Sequence, residues 1–203
     1  MGVLADHQIR HRLRLPDSDS RRMRIEPFAD PTKVPGQVSY GLSHYGYDIR
    51  LGKNFLLFAV GARTPLTLDA CTMREMMPTL LSNGTVTEYE DVDRLYLPPH
   101  GFALAESLER VRIPRDCMAQ VLCKSTLART GICLNMTPLE PEWEGVITLE
   151  IANLTPLFVC VHAGQGIGQI VFHVADGAMC ASSYADKAHA QYQHQDGLTL
   201  PKV

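Results

Sequence analysis

From about Tyr40 onward the sequence falls into short runs rich in β-branched, aromatic and aliphatic residues, each closed by Gly or Pro. "YGYDIRLG" and "NFLLFAV" come first, and "DRLYLPPHGFALAESLERVRIP" reads as two strands joined around Pro98, Pro99 and Gly101. "MAQVLC", "GVITLEIAN", "LFVCVHAG" and "IGQIVFHVA" continue the series. Runs of this length and spacing, with few long helical patterns, predict a mainly β fold of barrel or jelly-roll type. Residues 72–90, "TMREMMPTLLSNGTVTEYE", break the rhythm and predict a loop or excursion with a helical turn. Val3, Leu4, Ile9 and Leu13 among polar residues predict a short N-terminal helix, and "LPDSDSRRMRIEPF" a turn-rich connection. A chain of 203 residues suits one domain over 1–203. Residues 184–203 are polar and poor in core formers: a C-terminal tail that either frays or docks as a lid.

Charge removes some classes of function. Acidic residues number 22 against 19 basic ones, a net charge of −3, whereas a general nucleic-acid binder usually carries a basic excess. No apolar run is long enough to span a bilayer, and "MGVLADHQIRHRLRL" lacks the apolar block of a signal peptide. The expectation is a cytoplasmic protein bound to neither nucleic acid nor membrane. Six cysteines form no CxxC pair and several sit in apolar runs, which predicts reduced, mostly buried thiols and no zinc site.

Two stretches carry chemistry. In "CKSTLARTG" a lysine, two hydroxyls and an arginine follow a strand-like run. Opened as a short helix with Ser125 or Thr126 near its N-cap, the stretch would offer N–H donors, hydroxyls and Lys124 to an anion. Arg129 would share a face with Ser125 one turn away. The same residues also make an ordinary capped surface helix. In "EPEWEGVITLEIAN" alternation puts Val146, Thr148 and Glu150 on one strand face and Ile147, Leu149 and Ile151 on the other. A carboxylate at 150, within an apolar strand, needs a partner or a raised pKa, and either suits proton transfer. Alternatively its face simply meets solvent. Glu140, Glu142 and Glu144 read as mostly solvated, Trp143 as packing or as the wall of a binding site, and Asp48 as a cap or an ion-pair partner of Arg50.

"YGYDIR", "KSTLAR", "TPLEPEWEGVITLE", "GQGIGQIVF" and "SYADKAHAQYQHQDG" occur in this order and at sensible spacing. Together they resemble the dCTP deaminase branch of the dUTPase-like superfamily over nearly the whole chain. The resemblance implies a distorted β-barrel with a short N-terminal helix and a helical turn at the active-site motif. It also implies a homotrimer with sites where subunits meet.

The implied activity is zinc-free hydrolysis of dCTP to dUTP and ammonia, with Mg²⁺ carried on the nucleotide phosphates. Zinc deaminases need an H-x-E with P-C-x-x-C arrangement that is absent here. Glu150, Ser125 and Arg129 match the catalytic positions. Lys124, Thr126, Leu127, Ala128, Thr137, Glu140, Thr148, Leu149, Gln169, Tyr184, Gln191 and Gln195 match substrate-binding ones. The resemblance also brings in dTTP as a candidate inhibitor.

Four positions depart from the family pattern. Cys123 replaces a frequent glycine, where its side chain either crowds the phosphate approach or faces the core. Asn135 stands where several members have histidine, and Glu140 where many have the aspartate that helps activate water at the phosphate chain in bifunctional relatives. Gln191 replaces a tail lysine, leaving Lys187 and Lys202 as the remaining tail lysines. The competing readings are a bifunctional dCTP deaminase/dUTP diphosphatase or plain dUTPase, and a non-catalytic nucleotide-binding regulator on the same scaffold.

Overall fold

The computed structural model describes residues 2–58, 67–177 and 179–202. In chain order the elements are β1 (Gly2–Val3), α1 (Asp6–Leu13), β2 (Arg24–Glu26), β3 (Gly41–Ser43), β4 (Gly46–Phe58) and α2 (Met73–Ser82). There follow β5 (Val86–Tyr89), β6 (Arg94–Leu97), β7 (Phe102–Arg112), β8 (Cys117–Cys123), α3 (Ser125–Ala128) and β9 (Ile132–Leu134). β10 (Glu144–Asn153), β11 (Val159–His162) and β12 (Gly166–Val174) complete the series. The run "NFLLFAV" thus forms the end of β4, with Ala59 and Val60 outside the described residues.

Ten strands build one curled, half-barrel sheet along the path β1–β12–β4–β7–β10–β9. β8 flanks β12, β2 flanks β7, and β3 and β5 flank β4, while β6 and β11 pair separately. Strict alternation on β10 drives Ile147, Leu149 and Ile151 into the core, at 2 % exposure or less, and leaves Val146, Thr148 and Glu150 half-buried on the other face.

Several expectations need correction. Val3 belongs to a strand paired with β12, and the helix begins only at Asp6. The excursion at 72–90 is a ten-residue helix followed by β5. Met73, Met77 and Leu80 fall on one helical face and pack with Leu56, Phe58, Val86 and Leu104. Pro78 lies inside α2, and burial of that face outweighs the hydrogen bond its missing N–H forgoes.

The acidic run is paired, and Glu142 and Glu144 are largely buried while Glu140 stays partly exposed. Glu142 meets Arg115 at 2.8 Å, Glu144 meets Arg110 at 3.4 Å, and Glu140 meets Lys187. Arg50 pairs not with Asp48 but with Glu109, a fully buried carboxylate, at 2.6 Å. Of the six free thiols only Cys117 is buried; Cys71 is exposed and the others are intermediate.

Candidate active site

Beside the outward face of β10 lies a cleft of about 760 Å³, within the range that holds a small-molecule ligand. Glu150 and Thr148 line it from β10, and the segment 135–140 lines a second side. A reciprocal backbone pair holds that segment: Ala119 and Leu139 exchange N–H···O bonds of 2.9 and 2.8 Å. A third side is apolar, made by Phe58, Phe102, Leu104 and Met73.

The β9–β10 pairing continues one residue past β9, so the Asn135 N–H donates to the Glu150 carbonyl at 2.9 Å. That register aims the Asn135 amide at the Glu150 carboxylate, and its Nδ2–H donates to Oε2 at 3.1 Å. Burial pushes the Glu150 carboxyl above its ordinary value, and the Asn135 hydrogen bond pulls part of the way back. A partly desolvated carboxylate with one neutral donor is suited to taking up and returning protons. Nothing in the sequence pattern singled out Asn135 as the partner; the signal was its position just beyond a strand that pairs with the TLE strand.

The tail lies over this cleft. Tyr184, Tyr192, Gln195, Thr199 and Pro201 line it. Gln195 forms a parallel bridge with Gly145, its carbonyl accepts the Val146 N–H at 2.9 Å, and its Nε2 donates to the Val146 carbonyl. The Trp143 indole, 5 % exposed, donates to the Tyr192 carbonyl at 3.0 Å while lining the cleft. Trp143 is therefore packing, cleft wall and tail anchor at once.

The sequence-predicted residues fall into two groups. Thr137, Glu140, Thr148, Glu150, Tyr184 and Gln195 come together at the cleft. Lys124, Ser125, Thr126, Ala128 and Arg129 sit elsewhere, on and beside α3, and do not line it. The N-cap of α3 is Lys124, not Ser125 or Thr126, and no side chain caps the helix. Ser125, Thr126, Ala128 and Arg129 are exposed, with Gly131 at φ +83° turning the chain out of the helix. Lys124 is largely buried against Asp48, 2.5 Å from its carboxylate, so its charge is already matched within the chain.

Gln169 lies on β12 in register between Asp48 of β4 and Leu122 of β8, beside this α3 cluster. Leu127 and Leu149 turn their side chains into the core, so a ligand could meet only their backbones. Gln191 is exposed and off the cleft, its carbonyl accepting from Lys202. Cys123 packs on the core and points its thiol at the Ile132 carbonyl, 3.5 Å away. Among the described residues no three His, Cys, Asp or Glu side chains gather as a metal site requires.

A curled antiparallel sheet with a half-buried carboxylate at a cleft of small-molecule size is of the dUTPase-like fold. The chain belongs to the dCTP deaminase-like family, whose model matches residues 3–175. It is 41 % identical over 194 residues to the dCTP deaminase of Paramagnetospirillum magneticum, covering 93 % of this chain and 98 % of that one. It is 40 % identical over 203 residues to the dCTP deaminase of Nautilia profundicola, covering 100 % and 99 %. The crystal structure of 2′-deoxycytidine 5′-triphosphate deaminase from Agrobacterium tumefaciens shares the fold, with a TM-score of 0.57 at 21 % identity. That match covers 86 % of this chain, which spans only 48 % of the Agrobacterium chain.

Proposed function

We propose that the chain is a dCTP deaminase: water replaces the 4-amino group of dCTP, giving dUTP and ammonia for dUMP and thymidylate supply. The observation that carries this reading is the Glu150 carboxyl, half-buried on β10 and facing the cleft with its pKa raised by burial. Glu150 takes a proton from a water near C4 of the base and passes it to N3 as hydroxide adds to C4. It then moves the new C4 hydroxyl proton to the amino group, which leaves as ammonia while C4=O forms. General acid–base catalysis of this kind contributes roughly 10²–10⁴-fold, and positioning supplies the rest. Backbone groups at Thr137 and Pro138, both on the cleft, would orient the base.

Among the described residues the cleft's lining carries Glu140 and Glu150 but no lysine or arginine. A phosphate chain needs cations and N–H donors, and exposed Ser125, Thr126 and Arg129 of another copy would supply them in a homotrimer. Arg129 would then orient Ser125 toward the water. The nucleotide enters as its Mg²⁺ complex, the ion carried on phosphate oxygens, and the chemistry is zinc-free. We place the protein in the cytoplasm; among the described residues no helix is long and apolar enough to cross a membrane. dTTP, which shares the deoxyribose and triphosphate, is the expected inhibitor.

A bifunctional enzyme would need an acid free to activate water at the phosphates. Glu140 is instead engaged by Lys187, which favours deamination alone. The test is incubation with Mg²⁺ and dCTP, dCMP, dCDP or dUTP, scoring ammonia and pyrophosphate separately, before and after chelation of zinc. Ammonia from dCTP, abolished by Glu150→Gln and indifferent to chelation, is the expected result. Pyrophosphate from dUTP would establish the second activity, and nucleotide binding without any product would leave the regulator.

A further inference from the structure

The half-buried carboxyl of Glu106 has no part in the chemistry above. It sits on β7 directly opposite Thr148 of β10, on the sheet face that carries Glu150. Between the pairs Leu51–Ser107 and Phe55–Ala105, residues 52–54 of β4 bulge out against Glu106 alone. Gly52 leaves room for its side chain, since a Cβ there would lie 2.6 Å from Glu106 Cγ. Asn54 Nδ2 donates to Glu106 Oε1 at 2.7 Å. The carboxylate also accepts the backbone N–H of Leu198, and a Cβ at Gly197 would lie 3.2 Å from Oε2 and meet nothing else within 4 Å. Burial raises the Glu106 pKa, and the Leu198 and Asn54 hydrogen bonds pull part of the way back, so neutral donors hold the charge, the tail among them. The next tail amide, Thr199 N–H, donates to Thr148 Oγ1 at 3.1 Å. Two successive tail amides are thus received by two facing side chains of the sheet. Glu106 itself does not line the cleft, whereas Gln195 and Thr199, on either side of its contact, do.

We propose that Glu106 is a positioning residue: its carboxylate clasps the tail at Gly197–Leu198 and so sets the tail's share of the cleft wall in place. This rests on the proposed function only for the identity of the substrate. A charged acceptor makes a stronger hydrogen bond than a neutral one, and this one grips backbone between two cleft-lining residues. The β4 bulge takes part by shaping the niche and by supplying Asn54, which fixes the other carboxylate oxygen. Glu106 acts through the tail and touches no reacting atom. Its loss therefore weakens nucleotide binding more than it slows the proton transfers at Glu150.

The test uses the full chain with Glu106→Gln, which keeps the size and removes the charge, and Gly197→Ala, which crowds the clasp from the tail side. Glu106→Ala, alone and combined with Gly197→Ala, completes the set. Amide hydrogen exchange reads the tail independently of turnover, and kcat and KM for dCTP read the cleft. In Glu106→Gln the amides of 197–200 should exchange about tenfold faster, the loss expected for a hydrogen bond to a half-buried charge, while β12 stays protected. KM for dCTP should rise by about three- to tenfold with kcat within about twofold of wild type. Gly197→Ala should give a smaller change of the same kind, and no further change in the Glu106→Ala background, where its Cβ meets nothing. Unchanged tail exchange in both Glu106 variants overturns the proposal. So does exchange that speeds up equally in β12, which would make Glu106 part of the general packing of the sheet. A fall in kcat at unchanged KM overturns it too, because Glu106 would then act on the chemistry. If the wild type releases no ammonia yet the tail amides respond as expected, the proposed function fails and the clasp stands.

Discussion

Asn135→Ala removes the one side chain that, among the described residues, donates to the Glu150 carboxylate. A hydrogen bond to a charged group contributes about 1.5–3 kcal/mol when buried. Glu150 is only half-buried, so solvent screening reduces this to roughly 1 kcal/mol in favour of the ionised form. The sign follows directly: in the proposed mechanism Glu150 takes a proton only when ionised, burial already raises its pKa, and losing the donor raises it further. On the acidic limb of the kcat/KM profile for dCTP the variant should be about fivefold slower than wild type, the factor that 1 kcal/mol represents. The deficit should shrink as pH rises and Glu150 ionises in both proteins. Asn135→Asp places a like charge beside the carboxylate and should move the acidic limb further in the same direction. An acidic limb that stays in place, or a deficit equal at every pH, would refute this account of how Glu150 is tuned.

Other consequences concern the frame around the site. Arg50→Met would strand the fully buried Glu109 carboxylate and should cost about 3–5 kcal/mol in urea unfolding, with much of it regained when Glu109→Gln is added. A loss below 1 kcal/mol would show that the pair is not needed to keep Glu109 buried. Gly131→Ala forces a side chain into a left-handed backbone at φ +83° and sets its Cβ 2.1 Å from Thr155 Cγ2. A loss of at least about 1–2 kcal/mol, read as a Tm lowered by several degrees, is expected. Trp143→Phe keeps most of the packing but removes the indole donor to the Tyr192 carbonyl, worth about 1 kcal/mol. Hydrogen exchange should then speed up in the tail around Tyr192 while β10 stays protected.

Local pattern made much of this legible. The Gly- and Pro-bounded runs are strands, most of them in the ten-stranded sheet and two in the β6–β11 pair, and period-two alternation put Glu150 on the face opposite Leu149. Residues 72–90 predict only a loop or excursion with a helical turn; burial of Met73, Met77 and Leu80 on Leu56 and Phe58 makes α2 a ten-residue helix despite Pro78. Charge pairing was not legible. Glu142 and Glu144 look solvated in an acidic run, yet Arg115 reaches the first from the turn after β7 and Arg110 the second from β7.

What the sequence by itself determined is what depends on neighbours in the chain: the strands, the face that Glu150 takes, and the single turn of helix at Ser125. The tertiary structure alone decided which groups meet. It matched Lys124 to Asp48 rather than to an open anion site, aimed Asn135 at Glu150, and laid the tail on β10 through Gln195. It also parted α3 from the cleft that its residues would serve. The physical reason is one of range. Periodicity is set by backbone geometry over a few residues, whereas the partner of a charge or a donor is whichever group the folded sheet brings within about 3 Å.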